Sequence, residues 1–156
     1  MPNGRRRLRN NAGFTLIEIS VVLVIAAAAL ALVAPNLGGV LERTRLTSAT
    51  REIASGLRYA RAHAMTSGRP AEFWLDIGAH RYLAGDRSKP HVLPDSVKLS
   101  LTTADSQATA DGKGFIRFFP DGSSTGGKVL LEAAGQRRQI QVNWLTGFVQ
   151  IVGDDV

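Results

Sequence analysis

The chain has 156 residues, which is enough for one domain with an appendage and too short for two ordinary domains. The chain has 19 Lys and Arg residues and 13 Asp and Glu residues. Four of the arginines, Arg5, Arg6, Arg7 and Arg9, precede Gly13 in a segment without acidic residues. The chain after Gly13 has 15 basic and 13 acidic residues and is therefore nearly neutral. The absence of cysteine excludes disulfides, a thiolate nucleophile and a zinc site of the cysteine type.

Residues 14–34 form an almost continuous apolar run, in which only Thr15, Glu18 and Ser20 are polar. A helix of this length spans about 30 Å, the thickness of a hydrocarbon core. The run therefore predicts a transmembrane helix, and the basic leader before it favours a cytoplasmic N-terminus. A plain anchor and a cleavable secretory signal are the general alternatives, but neither explains Glu18, because a charge inside a spanning helix costs about 2.5–3.5 kcal/mol.

A glycine followed by an apolar residue, with a glutamate four positions later, stands between the basic leader and the apolar run. This arrangement of Gly13, Phe14 and Glu18 closely resembles the class III leader of type IV pilins and type II secretion pseudopilins. The resemblance implies that a prepilin peptidase cuts between Gly13 and Phe14 and methylates the new amine of Phe14. It also assigns Glu18 to assembly, since a buried carboxylate is tolerable chiefly beside an opposite charge, here the N-terminus of a neighbouring subunit.

Apolar residues then recur every three or four positions, which predicts an amphipathic helix. One stripe contains Leu46, Ala49, Ile53, Leu57, Ala60 and Ala64. Four arginines lie mostly off that stripe and are expected on a solvated face: Arg43, Arg51, Arg58 and Arg61. The two helical segments are expected to form one long helix that loosens at Pro35 and Gly38-Gly39 and ends near Ser67, before Gly68.

After this helix the period changes to two, which is typical of strands. The candidate strands are 72–77, 81–84, 97–101, 115–119, 129–133, 139–144 and 148–152. Thr146-Gly147 is expected to form the turn of a hairpin between the last two, and the polar segment 102–114 an exposed loop. For Trp74 and Trp144 the two candidate roles are interface anchor and core packing, and core packing is expected because both lie in predicted strands. A helix followed by an antiparallel sheet is an α+β fold.

One segment matches part of a phosphate-binding motif. Residues 122–128 fit the first seven positions of a P-loop, but Val129 stands where a hydroxyl must bind Mg²⁺, and a strand follows where the P-loop needs a helix. Pro120-Asp121-Gly122 is therefore interpreted as the start of a turn between strands.

The sequence contains no recognisable catalytic or metal-binding constellation. His63, His80 and His91 lack metal-ligand spacing, and Asp154-Asp155 is interpreted as a solvated acidic end. We therefore expect no enzyme activity, no cofactor and no metal.

Two C-terminal segments, residues 118–127 and 140–151, resemble the end of minor pseudopilin H of type II secretion, a group that includes FimT-like minor pilins. Asn143 stands where an Asp is frequent in that group. Phe148 and Gln150 stand where basic residues often occur, and the DNA-binding minor pilins of the group use such residues.

The resemblance implies a pilin-like fold and a structural subunit at or near the tip of the type II secretion pseudopilus, which supports export of folded proteins across the outer membrane. The expected segments are a prepilin leader (1–13), a transmembrane and filament-core helix (14–34), its amphipathic continuation (35–68) and a periplasmic β-rich domain (69–156). The chain would cross the inner membrane once, with its N-terminus in the cytoplasm.

The implied partners are prepilin peptidase, the major pseudopilin, other minor pseudopilins and the inner-membrane secretion platform, without nucleic acid or a small-molecule substrate. The alternative is a type IV pilus minor pilin, FimT-like, that takes part in pilus assembly or DNA uptake. DNA binding would require a basic surface, and the nearly neutral chain after Gly13 argues against it. A periplasmic hydrolase on a cleavable signal would require catalytic residues that the sequence lacks.

Overall fold

The computed structural model describes residues 14–33, 37–103 and 112–153. Two compact units divide the chain after Leu37. Helix α1 runs over Leu16–Val33, and helix α2 runs over Leu37–Ser67 and belongs from Gly38 onward to the second unit. The predicted leader, Pro35, most of the predicted loop 102–114 and Asp154-Asp155 lie outside the described residues.

Within residues 68–103 and 112–153, eight strands follow α2, and all of their pairings are antiparallel. They are β1 (Ala71–Asp76), β2 (Arg81–Ala84), β3 (His91–Val92), β4 (Lys98–Thr102), β5 (Lys113–Phe118), β6 (Gly127–Ala133), β7 (Gln136–Val142) and β8 (Val149–Gly153). They form two four-stranded sheets, sheet A in the order β3-β2-β1-β5 and sheet B in the order β4-β6-β7-β8.

This arrangement confirms the predicted α+β fold, but the expectation of a single sheet is wrong. Strands β5 and β6 are consecutive in the chain and still belong to different sheets. Alternation along a strand shows which face is buried and not which strand lies beside it. The short strand β3 was not predicted, because both of its residues are exposed and show no alternation.

The apolar stripe of α2 packs against the sheets as the sequence predicts, since its six residues are fully buried. Gly56 lies on the same side of the helix. A Cβ at this position would lie 2.7 Å from Cε2 of Tyr82 and 2.9 Å from Cε2 of Phe73. Sheet A therefore packs directly on the helix backbone, and the Tyr82 hydroxyl donates a hydrogen bond to the carbonyl of Glu52 at 3.3 Å.

A single hydrophobic core joins α2 to both sheets. Its largest fully buried side chains include Phe73, Ile116 and Phe118 from sheet A, Leu131 and Ile140 from sheet B, and Leu46, Ile53 and Leu57 from α2. Helix and sheets are thus held together by apolar burial, the dominant favourable term in folding.

The two ends of α2 differ in how well the sequence predicted them. Gly68 ends the helix as expected, with φ of 66° and an N–H that donates to the carbonyl of Ala64 at 3.1 Å. Gly38 and Gly39 lie inside α2, so the loosening predicted there is wrong. Each helical glycine costs only about 1 kcal/mol relative to alanine, which is too little to interrupt a helix that continues to a packed face.

Candidate functional site

The residues predicted to control processing and assembly lie at the start of α1. Gly13 lies outside the described residues, whereas Phe14 is described and 80% exposed. The Thr15 hydroxyl accepts a hydrogen bond from the backbone N–H of Glu18 at 3.2 Å. Thr15 is therefore the N-cap of α1, and Glu18 occupies the position at which a capping box carries an acidic residue.

Sequence reasoning missed this cap, although the spacing Thr-x-x-Glu is visible in the sequence. The bond uses the backbone N–H of residue 18, so the local contribution of the Glu18 side chain is electrostatic. A carboxylate in the first turn of a helix also complements the partial positive charge of the helix N-terminus. These effects favour helix formation at Thr15. They do not remove the cost of placing the charge in an apolar environment.

Apart from Glu18 and Ser20, the described surface of α1 is apolar. Its described large apolar side chains are exposed, from 48% for Ile19 to 87% for Leu16. The Ser20 hydroxyl donates to the carbonyl of Leu16 at 2.9 Å, so this polar group is satisfied within the helix. A helix that is apolar all round needs an apolar environment on every side.

Within residues 14–33, 37–103 and 112–153, no helix combines the length and the apolarity that a membrane crossing requires. The predicted span 14–34 includes Ala34, which lies outside these residues, and it stays a prediction.

In the second unit, the loop between β5 and β6 forms the turn that the sequence predicts. The N–H of Gly122 donates to the carbonyl of Phe119 at 2.9 Å, and Asp121 Oδ1 accepts from the hydroxyl of Ser123 at 2.6 Å and from its N–H at 2.9 Å. These hydrogen bonds hold the pKa of the Asp121 carboxyl below its ordinary value. Val129 lies in strand β6, so the P-loop-like segment leads into a strand, as expected.

The loop between β7 and β8 closes the predicted hairpin at Thr146-Gly147. Asn143 Oδ1 accepts hydrogen bonds from the N–H groups of Leu145 at 2.9 Å and Thr146 at 3.1 Å. Gly147, with φ of 60°, donates its N–H to the carbonyl of Asn143 at 2.8 Å. An aspartate could accept the same two side-chain bonds, so the departure at Asn143 preserves the turn.

Hydrogen bonds brace these two loops against each other. The N–H of Ser124 donates to the carbonyl of Trp144 at 2.8 Å, and its hydroxyl donates to the carbonyl of Asn143 at 3.0 Å. A Cβ on Gly126 would lie 3.0 Å from Cβ of Trp144, so the chains approach closely here. The sequence contains both loops, but it carries no signal that they meet.

Two arginines of α2 bind backbone carbonyls from the helix side. Arg61 Nε donates to the carbonyl of Gly122 at 3.2 Å, and an Arg58 guanidinium nitrogen donates to the carbonyl of Val149, the first residue of β8, at 3.3 Å. Arg43, Arg51 and Arg58 are exposed, as expected, whereas Arg61 is half-buried. Residue spacing placed all four on the polar side of the helix, but only the folded chain brings distant carbonyls within reach of two of them.

Both tryptophans are exposed, so the expectation of core packing is wrong. Trp74 is 43% exposed because it points outward between the buried residues Phe73 and Leu75 of β1. Trp144 is 66% exposed because β7 ends at Val142 and alternation no longer governs the residues beyond it.

The outer face of sheet A around Trp74 is an ion-paired surface with an aromatic centre. Arg117 binds Glu72 through two hydrogen bonds of 2.6 and 2.8 Å, Glu72 also accepts from Trp74 Nε1 at 2.7 Å, and the ring centroid of Phe115 lies 4.9 Å from that of Trp74. An open cavity of about 290 Å³ lies beside Trp74 and is lined in part by Asp76. The Asp76 carboxylate pairs with Arg81 across 3.3 Å, so it is not isolated.

The three histidines lie in different parts of the second unit. The imidazole of His63 lies 3.9 Å from the Asp86 carboxylate, a ring nitrogen of His80 lies 3.1 Å from the carbonyl of Val97, and His91 lies on the short strand β3. In the part of the chain that the structure describes, no three His, Asp or Glu residues are grouped so that they could hold a metal ion.

Two family descriptions match the chain. "Type II transport protein GspH" matches residues 49–147, and "Prokaryotic N-terminal methylation motif" matches residues 8–34. The first match includes the loop between β5 and β6 and the loop between β7 and β8 up to Gly147, and the second includes Phe14 and Glu18. A curated relative, type II secretion system protein H of Xanthomonas campestris pv. campestris, is 36% identical over 154 residues, which cover 96% of this chain and 86% of the relative.

Solved structures share the fold at low sequence identity. The type IV minor pilin FimU of Pseudomonas aeruginosa has a TM-score of 0.55 and 15% identity, with 70% of this chain and 90% of that chain covered. The minor pseudopilin EpsH from the type 2 secretion system of Vibrio cholerae has a TM-score of 0.52 and 11% identity, with 70% and 97% covered. Both are similar to this chain in fold, which confirms the predicted pilin-like architecture.

Proposed function

Because this chain belongs to the type II transport protein GspH family and is thus a minor pseudopilin of type II secretion, we propose that it is a structural subunit at or near the tip of the pseudopilus. In this position it supports export of folded proteins across the outer membrane. The observation that carries the proposal is the 36% identity to type II secretion system protein H over nearly the whole chain.

We propose that prepilin peptidase cuts between Gly13 and Phe14 and methylates the amine of Phe14. The match to the N-terminal methylation motif over residues 8–34 supports this step. The hydrogen bond from the N–H of Glu18 to the Thr15 hydroxyl joins two residues that both follow the proposed cut, so the mature chain would keep both partners of this cap.

Glu18 is proposed to guide assembly of the filament. Its side chain lies on a helix whose described residues are otherwise almost entirely apolar, where an uncompensated charge costs about 2.5–3.5 kcal/mol. The positively charged N-terminus of a neighbouring processed subunit would compensate that charge. The pairing requires cleavage first, because the amine of Phe14 does not exist until the leader is removed.

We propose that residues 14–34 anchor the protein in the inner membrane before assembly and pack in the filament core afterwards. The apolar surface of α1 and the four arginines of the leader support a single pass with a cytoplasmic N-terminus. The unit that begins at Gly38 would then lie in the periplasm. Its partners would be prepilin peptidase, the major pseudopilin, other minor pseudopilins and the inner-membrane platform, and its role would be structural, not enzymatic.

The processing step is tested by intact-mass measurement of the chain purified from its own cells. We expect a mature chain that begins with N-methylated Phe14, and Gly13→Ala to leave the leader attached. Normal cleavage of Gly13→Ala would overturn the proposed processing. A mature chain that begins near Leu32, as a cleavable secretory signal cut after Ala29-Leu30-Ala31 would give, would overturn it as well.

The role of Glu18 is tested by Glu18→Ala, with Ser20→Ala as the matched control in the same helix. We expect both variants to be inserted and cleaved, and only Glu18→Ala to be lost from sheared pseudopili. Incorporation of Glu18→Ala at the wild-type level would contradict the proposed ion pair.

The secretion role is tested by deletion of the gene and complementation. We expect the deletion strain to retain its exoproteins inside the cell while its type IV pili remain intact. Loss of pili or of DNA uptake with normal secretion would instead support the alternative, a FimT-like minor pilin.

A further inference from the structure

Three large apolar side chains on one short loop are exposed to solvent. Trp144, Leu145 and Phe148 are 66%, 63% and 62% exposed and lie in the loop between β7 and β8. We call these three residues the Trp144 patch. They present on the order of 300–400 Å² of apolar surface, the size of the largest apolar patch on a typical single chain, which is often a functional surface.

The loop that carries the Trp144 patch is held in one conformation. The N–H of Asn143 donates to the carbonyl of Phe148 at 3.0 Å and closes the loop. Gly147 packs so closely on the neighbouring loop that a Cβ would overlap the carbonyl oxygen of Gly122. A pre-organised loop loses little conformational entropy on binding, which favours affinity.

Two positive charges flank the loop. Arg58 binds the carbonyl of Val149, next to Phe148, while Arg61 binds the carbonyl of Gly122, and a Cβ on Gly147 would lie 2.9 Å from Arg61 Nε. Among the described residues, the ion pairs within 4.0 Å involve other cations, so both guanidinium charges remain available to a partner. A partner with carboxylates at matching positions would be electrostatically complementary.

We propose that the Trp144 patch is the docking surface for another subunit of the same filament, whose contacting surface offers an apolar pocket rimmed by Asp or Glu side chains. The inference rests on the proposed function, because it takes the partner to be a filament subunit. Tryptophan and arginine are the residue types most enriched at the energetic centres of protein interfaces. Trp144 would fill the pocket, and Arg58 and Arg61 would pair with its rim.

A nucleic acid fits this surface less well. Binding of a phosphate backbone needs a track of cations, whereas the loop 143–148 carries no Lys or Arg and only Arg58 and Arg61 flank it.

The test is site-specific photo-crosslinking of the full chain in its own cells. A benzophenone amino acid replaces Phe148, and the matched control carries it at Val92, which is 75% exposed on the edge strand β3 of the other sheet. We expect an adduct from position 148 that mass spectrometry identifies as a pilin-type subunit linked within a segment that contains Asp or Glu. Trp144→Ala in the same background is expected to lower the adduct yield by about tenfold or more.

Intact mass and thermal unfolding check whether Trp144→Ala is processed and folded. We expect both, because the Trp144 side chain is exposed. The inference is overturned if position 148 gives no subunit adduct, gives the same adduct as position 92, or links to lipid or nucleic acid. It is also overturned if folded Trp144→Ala keeps the full yield.

The deletion strain separates this result from the proposed function. If deletion abolishes secretion and position 148 gives no adduct, only the assignment of the Trp144 patch fails. If the adduct forms and deletion abolishes piliation with normal secretion, the patch stands and the secretion role fails.

Discussion

Arg61, in the last two turns of α2, donates a hydrogen bond of 3.2 Å from its Nε to the backbone carbonyl of Gly122, 61 residues later in the chain. The bond joins α2 to the loop between β5 and β6, which in turn braces the loop that carries Trp144. The helix therefore positions the exposed loops as well as burying the core.

We expect Arg61→Ala to destabilise the second unit by about 1–2 kcal/mol, because it removes a charged donor and leaves the carbonyl of Gly122 without that partner. The measurement is thermal unfolding of the detergent-solubilised chain. The control is Arg51→Ala, since Arg51 is exposed on the same helix and its loss is expected to change stability by less than about 0.5 kcal/mol. Equal effects of the two substitutions would refute the role of the tether.

Gly147→Ala is expected to be strongly destabilising for two reasons. The residue has φ of 60°, and a Cβ would overlap the carbonyl oxygen of Gly122. Gly135→Ala is the control, because Gly135 has φ of 72° but no atom within 4 Å of its Cβ position. We expect the control to cost about 1–2 kcal/mol from backbone strain alone and Gly147→Ala to cost at least about 1 kcal/mol more. Urea unfolding monitored by tryptophan fluorescence compares them.

Leu57→Ala is expected to lower the free energy of unfolding by about 2–5 kcal/mol, because Leu57 is fully buried between α2 and the sheets. Leu41→Ala removes the same atoms from a position in α2 that is 51% exposed, and we expect a change of less than about 1 kcal/mol. A calorimetric scan of both variants measures the difference. Similar melting temperatures would show that the stripe on α2 does not anchor the core.

Tyr59→Phe is expected to raise the pKa of Asp86 towards its ordinary value of 3.8. In the folded chain the Tyr59 hydroxyl donates to Asp86 Oδ1 at 2.7 Å, and this bond is the main cause that holds the pKa of the carboxyl down. The same bond raises the pKa of Tyr59, because ionisation of the hydroxyl would remove the donor.

The pKa of Asp86 is lower in the folded chain than its ordinary value of 3.8, so the ionised carboxylate stabilises the fold above pH 3.8. This contribution is lost as the pH falls through the lower pKa of the folded chain. Tyr59→Phe is thus expected to reduce the acid dependence of stability below about pH 4. Titration of the Asp86 carboxyl carbon by NMR measures the pKa directly. The control is Tyr82→Phe, whose hydroxyl binds the carbonyl of Glu52 instead, and an unchanged Asp86 pKa in Tyr59→Phe would contradict the assignment.

Local patterns in the sequence determined the elements and their buried faces. The spacing of the stripe from Leu46 to Ala64 predicted the buried face of α2, and the turn at Thr146-Gly147 predicted the last hairpin. The leader motif predicted the N-terminal methylation motif, and the segments 118–127 and 140–151 predicted the pseudopilin H family to which the chain belongs. These features depend on residues a few positions apart, which a single sequence displays directly.

Only the tertiary structure decided which strands share a sheet, where the two tryptophans lie and what Arg58 and Arg61 bind. Sheet A joins β1 to β5, and Arg61 reaches a carbonyl 61 residues away, so neither relation leaves a periodic trace along the chain. Trp144 continues the alternation of the buried residues Ile140 and Val142, which is the spacing of a core residue. It lies beyond Val142, the last residue of β7, however, and the turn begun by Asn143 directs it outward. The exposed loop of the proposed docking surface therefore arises from contacts between distant segments, whereas the processing motif depends on six adjacent residues.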